Sequence, residues 1–363
     1  MAARISGAVC VKKLLRLGAG LIFLVAVLAI AVWFVPANNQ DPVRVTIHQG
    51  DTLSGLSRQW QADGWLPSSL LLRVQSRLLG MDHALRTGEY DVPPGLNGME
   101  LLQFLASAQP VTYRLSLIEG LTLSEALPAI AQAPQLQQDI EPLNPAAVAS
   151  LLGIEGNPEG WLYPDTYVYR SGDKASTIVR QAYERMQRQL QAAWAGRSEG
   201  LPYDKPYDAL IMASIVEKET GVVSERPIIA GVFVRRLNMN MRLETDPTVI
   251  YGLGPEFDGN LRKRHLQDRT NPYNTYRQKG LPPTPIALAG RAALDAALNP
   301  SDGDQLFFVA RGDGSHYFSA TLEEHNKAVR KYQIFRRKED YRSAPPAESS
   351  GDDSEPKQQE SSQ

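Results

Sequence analysis

An apolar run from Leu17 to Val35, nineteen residues without a charge, constrains this chain more than any other feature. At about 1.5 Å per residue, a helix of that length just crosses the roughly 30 Å hydrocarbon core of a bilayer. Backbone N–H and C=O groups in hydrocarbon have to be satisfied within the segment, so a helix is the expected form. Arg4, Lys12, Lys13 and Arg16 precede the run, and no charge follows until Asp41. That asymmetry predicts residues 1–16 in the cytoplasm, a single inner-membrane span over 17–35 and a periplasmic remainder. A cleaved signal peptide has an apolar stretch of about 7–15 residues closed by a small-x-small site. Ala29-Ile30-Ala31 has that form, but the run continues to Val35, which favours an uncleaved anchor. The single cysteine, Cys10, lies before the run, so the exported part carries no thiol and no disulfide framework.

Lys and Arg number 38 against 40 Asp and Glu, a net charge of −2. The sum conceals +4 over residues 1–16 and −4 from Ser343 onward, where five acids meet one Lys. No basic excess is left to neutralise phosphates, so nucleic acid is not an expected partner. Residues 343–363 are rich in Ser, Pro, Gln and acids, and read as a disordered tail.

The exported part reads as mixed α+β. Val43, Val45 and Ile47 alternate with polar residues, as in a half-buried strand, and Asp51 or Thr52 can cap the helix that follows. Pro67–Leu79 reads as a second helix with Leu70, Leu71, Val74 and Leu78 on one face, and Gly88–Val92 as a short strand. This strand-helix-helix-strand order and the opening "VTIHQGDTLSGLS" resemble a LysM-type glycan-binding module over residues 43–108; a generic α+β spacer is the alternative. "LSLIEGLTLS" echoes "VTIHQGDTLS" seventy residues later, and Thr122 with Glu125 has capping-box spacing. Further helices are expected over Ala175–Ala195, Tyr207–Glu219, Ile228–Leu237 and Leu288–Leu298, and a hairpin over Leu306–Ala310 and His316–Ser319.

Few residue patterns here can carry chemistry. There is no Gly-x-Ser-x-Gly elbow, no His pair at i,i+3 or i,i+4, and no glycine-rich phosphate cradle, so neither metal nor cofactor is expected. Carboxylates remain. In "ALIMASIVEKET" (Ala209–Thr220) an apolar helix runs directly into Glu217-Lys218-Glu219. Residues two apart point roughly 200° apart on a helix, which leaves Glu217 and Glu219 on different faces. Glu217 lies over the small residues Ala213 and Ser214, with room for a ligand beside the helix. Partial desolvation there would raise its pKa and suit a general acid. The competing reading is a solvated helix end with Glu217 paired to a Lys or Arg. Around the charged Asp246, the residues Thr248, Tyr251, Asn271, Asn274 and Tyr276 supply neutral donors, acceptors and rings suited to an uncharged sugar, or else ordinary turn chemistry.

Five strings occur together and in order: "EGWLYPDTY" (Glu159–Tyr167), "ASIVEKET" (Ala213–Thr220), "RLETDPTVIYG" (Arg242–Gly252), "NPYNTYRQKGLPPTPIA" (Asn271–Ala287) and "HYFSATLEEHNKAV" (His316–Val329). Together they resemble the YceG-like family, over residues 109–342 as catalytic domain. The resemblance implies an endolytic peptidoglycan lytic transglycosylase that cleaves the β-1,4 bond from N-acetylmuramic acid to N-acetylglucosamine in nascent strands. The muramyl 6-hydroxyl is then the nucleophile and a 1,6-anhydro end the product. It maps the catalytic glutamate onto Glu217 and suggests Ser214, Glu219, Asp246, Thr248, Tyr251, Asn274 and Tyr276 as substrate-binding residues. Peptidoglycan strands, the membrane and cell-wall synthases are the implied partners. A non-catalytic, membrane-anchored scaffold of the wall-synthesis machinery is the alternative, and a pyridoxal-phosphate lyase working through Lys218 is disfavoured by the lack of a phosphate-binding loop.

Overall fold

The structure, a computed structural model, describes residues 31–81 and 85–334. Residues 1–16, most of the expected span (17–30), His83 and the expected tail (343–363) lie outside the described residues. Among the described residues no helix is long and apolar enough to cross a membrane. The class is mixed α+β, in two compact units. The first runs to Arg114 and includes Ala133–Gln137 and Val168–Lys174; the second holds Leu115–Gln132, Gln138–Tyr167 and the chain from Ala175.

In the first unit the period-2 segment forms β1 (Val43–Ile47), antiparallel to β2 (Gly88–Val92) with Val45 opposite Tyr90. Between them lie α1 (Leu53–Ala62) and α2 (Ser69–Leu79), and α3 (Gly98–Ser107) follows. Thr52 is the cap of α1, accepting from the Gly55 N–H, while Asp51 turns back to accept from the His48 N–H at 2.7 Å. Val45, Ile47, Leu56, Trp60, Trp65, Tyr90 and Leu101 make the core. Helix α2 is turned opposite to its amphipathic pattern. Leu70, Val74 and Leu78 face outward, and the buried residues are Ser69, Leu72, Gln75 and Ser76.

Strand β3 (Thr112–Ser116) pairs with β4 (Thr166–Arg170) in a two-stranded sheet. Helix α4 (Leu123–Ala131) opens with the expected capping box of Thr122 and Glu125, and α5 (Pro145–Leu152) follows. The second unit continues with α6 (Ala175–Ala195), α7 (Pro206–Glu219), α8 (Arg226–Asn238), α9 (Asp246–Leu253), α10 (Lys263–Gln267) and α11 (Arg291–Leu298). A hairpin of β5 (Phe307–Ala310) and β6 (His316–Ser319) pairs Phe308 with Phe318, before α12 (Leu322–Val329).

Helix α7 is apolar nearly all round because it is buried nearly all round: Ala209–Val216 have no appreciable exposure, and the helix packs on α8 and α11. Met186 and Leu190 of α6, Phe233 of α8 and Leu294 of α11 share its core. Helix α11 begins three residues later than its apolar pattern predicts. Residues 286–288 form an irregular bend instead: Leu288 N–H donates to Leu121 O (2.8 Å), Gly120 N–H to Leu288 O (2.9 Å), and Ile286 N–H to the Ser214 hydroxyl (3.0 Å).

The Gly in "EGWLYPDTY" is required where it stands. Gly160 has φ +79°, and a Cβ there would collide with the Pro285 ring. Gly153 shares the left-handed conformation (φ +67°) but faces open space. Gly153→Ala should therefore cost only about 1–2 kcal/mol of backbone strain, while Gly160→Ala adds roughly 1–3 kcal/mol of overpacking. Denaturant unfolding of the two variants measures the difference, and equal losses would contradict the packing argument.

Candidate active site

Helix α7 stops at Glu219 because Thr220 is extended, its hydroxyl accepting from the Val222 N–H at 3.0 Å. One 3-10 turn, Val223–Glu225, then feeds α8. This reversal carries Arg226 back onto α7, where its Nη2 donates to Glu217 Oε1 at 2.5 Å. The other carboxylate oxygen, Oε2, accepts from the Gly290 N–H at 3.0 Å. Glu217 is thus paired to an arginine, but the pair is buried rather than solvated, with side chains 4% and 8% exposed. The space over Ala213 and Ser214 is not open to a ligand, since the 286–290 segment fills it. What opens beside Glu217 is a cleft of about 1010 Å³ at the end of α7.

Both Glu217 and Glu219 line this cleft. The separation expected from helical spacing does not keep them apart, because the helix ends at Glu219 and the cleft wraps its terminus. Part of the Glu219 stem is exposed, but its carboxyl is buried, accepts from the Thr245 hydroxyl, and is pushed up to about 7 by desolvation. A third carboxylate, Glu119, joins them. It lies directly over Gly290, where a Cβ would overlap its oxygens. Burial raises the pKa of Glu217; Arg226 and the Gly290 N–H oppose the rise, and the charges of Glu119 and Lys218 act in opposite senses, Glu119 upward. Burial is the largest of these effects, and the net direction is upward. Lys218 ties the walls together, its Nζ donating to Gly120 O at 3.0 Å.

The candidate binding residues divide by what their polar atoms already hold. Asp246 and Tyr276 line the cleft with Glu219, and the Tyr276 hydroxyl donates to Asp246 Oδ1 at 2.7 Å. Ser214, Thr248, Tyr251 and Asn274 do not line it. Ser214 Oγ bridges Ile211 O and the Ile286 N–H. Thr248 Oγ1 meets Thr245 O and Thr275 Oγ1 inside the protein. The Tyr251 hydroxyl donates to Glu159 Oε2 (3.2 Å) and accepts from Asn157 (3.0 Å). Asn274, fully buried, clamps a loop: its Nδ2 donates to His265, Leu266 and Asp268 carbonyls, and its Oδ1 accepts from Tyr276 N–H. Their role is to hold the cleft's walls. Glu159, raised to about 7 by its burial, does the same, accepting from the first N–H of α4, Leu123, at 2.8 Å.

Four of the five ordered strings therefore contribute residues to one cleft, and Glu159 of the fifth braces it through Leu123 and Tyr251. The model of the YceG-like family matches residues 45–331. The chain belongs to the YceG-like family. A curated protein of Bacillus subtilis (strain 168) named endolytic murein transglycosylase is 30% identical over 318 residues, spanning 82% of this chain and 87% of that one. A protein of the same name from Streptococcus pneumoniae serotype 2 is 25% identical over 332 residues; the match spans 81% of this chain and 59% of the pneumococcal one. A crystal structure of a YceG-like protein from Listeria monocytogenes has 29% identity and a TM-score of 0.51, with 80% of this chain and 99% of that one covered.

In this YceG-like chain four residues of the site escape sequence reasoning. Arg226 lies nine positions from Glu217, a spacing no helix brings together, and Glu119 is remote in the chain. Glu225 grips His316 of β6, accepting from its N–H at 2.8 Å and meeting its Nδ1 at 2.7 Å, and the imidazole faces the cleft. The one available signal was the string membership of His316 and the "IEG" of the internal echo. Among the described residues no group of three or more His, Cys, Asp or Glu could hold a metal ion.

Removing the Glu119 charge should lower the Glu217 pKa, and removing Arg226 should raise it. Carboxyl-carbon NMR titration of Glu119→Gln and Arg226→Gln reads both signs, and shifts in the same direction would contradict this electrostatic account. Breaking the buried pair in Arg226→Gln should also cost about 3–5 kcal/mol of stability.

Proposed function

We propose that this chain is a membrane-anchored endolytic lytic transglycosylase acting on peptidoglycan, with Glu217 as its general acid and base. The observation that carries the reading is the buried Glu217 carboxyl, held by Arg226 and the Gly290 N–H at the wall of an open cleft, with its pKa raised. Membership in a family whose curated relatives are named endolytic murein transglycosylases supports the substrate.

Burial raises the pKa of Glu217 above the ordinary carboxyl value, which is the direction a general acid needs. Protonated Glu217 gives it to the glycosidic oxygen as the bond to the muramyl anomeric carbon breaks, and that oxygen keeps the electron pair. The muramyl 6-hydroxyl oxygen bonds to the same carbon, forming the 1,6-anhydro ring, and its proton passes to the Glu217 carboxylate. The acid is regenerated and no water is consumed. No second carboxylate is needed as nucleophile, in contrast to ordinary two-carboxylate glycosidases. Glu119 then serves to favour the acid form of Glu217. Asp246 and Tyr276, across the cleft, are the candidates for holding the sugar.

The apolar run of Leu17–Val35 with its preceding basic residues supports an inner-membrane anchor and a periplasmic catalytic unit. The strand-helix-helix-strand order of the first unit supports a LysM-like module, and nascent strands made by neighbouring synthases are its expected surroundings.

Mass spectrometry of glycan strands incubated with the purified chain should find new internal cuts ending in 1,6-anhydro sugars. Glu217→Gln should slow their appearance by about 100- to 10,000-fold, the usual contribution of a general acid; it should also lose stability, because the buried Arg226 keeps its charge without the carboxylate, and circular dichroism checks that the fold is kept. Strands bound without new ends would instead mark a scaffold. Because a general acid works while protonated, the alkaline limb of the rate profile should move to lower pH in Glu119→Gln; an unmoved limb would separate Glu119 from the chemistry.

A further inference from the structure

Helix α2 presents its apolar side to the outside. Leu70, Val74 and Leu78, spaced four apart, are 64%, 40% and 71% exposed, while Ser69, Gln75 and Ser76 are buried. A soluble surface does not spend three aligned aliphatic side chains this way, and a contiguous exposed apolar stripe marks a contact surface. Its position identifies the contact. The distal end of the apolar N-terminal run is stitched to this unit without a linker: Gln75 of α2 donates to Trp33 O (2.9 Å), Trp33 Nε1 to Met99 Sδ (3.1 Å), Ala37 N–H to Leu96 O (2.8 Å) and Asn38 N–H to Trp65 O (2.7 Å). Val32, Phe34 and Val35 are themselves exposed. Leu78 follows Gln75 by three residues, about 4.5 Å along the helix.

We propose that the Leu70–Val74–Leu78 face of α2 lies on the surface of the bilayer that holds the anchor. The inference rests on the anchored reading above and goes beyond it: the first unit would be a membrane-docked body, not one hanging from a flexible stalk. Arg77, exposed in the last turn, and Arg73 beside the stripe carry the positive charge that favours anionic headgroups. An apolar face with flanking arginines is the pattern of a helix lying in the interface plane.

The test uses the full chain in nanodiscs containing anionic lipid, with Cys10→Ser removing the native thiol. An environment-sensitive fluorophore is placed at Leu78→Cys, at Leu70→Cys, or at Gln59→Cys on the exposed polar side of α1. Nitroxide attached to lipid near the headgroup should quench the probes at 70 and 78 at least twofold more than the probe at 59. Adding Arg77→Glu should reduce that excess. Equal quenching at all three positions would overturn the proposal. A blue-shifted probe at 78 without lipid quenching would also overturn it, and would place a second copy or the N-terminal run on the stripe. Alkaline extraction separates the two readings: a chain that stays with the membrane but lacks quenching at 78 refutes the docking alone, and a chain that washes off refutes the anchor and the docking with it.

Discussion

The buried pair of Arg226 and Glu217 is the interaction around which the second unit is organised. Two charges removed from water cost several kcal/mol each before their attraction offsets it, so such a pair persists only where geometry and further hydrogen bonds are good. Here the requirement is met from three directions. Helix α7 delivers Glu217 from the centre of the core, and the Thr220 break with its single 3-10 turn returns Arg226 nine residues later. The irregular 286–290 segment brings the Gly290 N–H. That segment is in turn locked by Ser214 below it and by Gly120 and Leu121 beside it.

Around this pair, neutral polar residues do structural work in loops that lack regular hydrogen-bond ladders. Between α9 and α11 the chain has only a 3-10 turn (Gly254–Glu256) and the five-residue α10, so its backbone groups need side-chain partners. Asn274 alone satisfies three carbonyls and one N–H, and Thr275 accepts from Thr245 N–H while contacting Thr248. These bonds fasten the "RLETDPTVIYG" and "NPYNTY" strings to one another, and the fastening presents Glu219, Asp246 and Tyr276 on a common wall.

Local periodicity made most elements legible. The strands β1, β2, β5 and β6, the long helix α6 and the buried helix α7 follow directly from spacing and capping residues. Helix α2 and the start of α11 do not. Alternation of apolar and polar residues gives a helix its faces but not which face turns inward, and Leu288 is apolar because the irregular segment it belongs to is buried, not because it begins a helix. At the cleft, Glu217 stood out as a candidate because an apolar helix runs directly into it and a family string includes it. That Ser214, Thr248, Tyr251 and Asn274 lie away from the cleft was not legible, for one reason. Residue type reveals that a side chain can donate or accept, not whether the protein has already used that capacity. Arg226 and Glu119 were hidden because contacts across nine residues through a reversal, or between distant segments, leave no period.

Glu225 and Arg226 are consecutive, yet they grip opposite structures: Glu225 holds His316 on the hairpin, and Arg226 holds the acid at the end of α7. A two-pronged clasp at the start of α8 therefore joins one wall of the groove to the Glu217 carboxyl. A tilt of that turn would shift both prongs together, so the width of the groove and the electrostatic setting of Glu217 are mechanically linked. A ligand that wedges the hairpin outward would, through this clasp, also change the surroundings of Glu217.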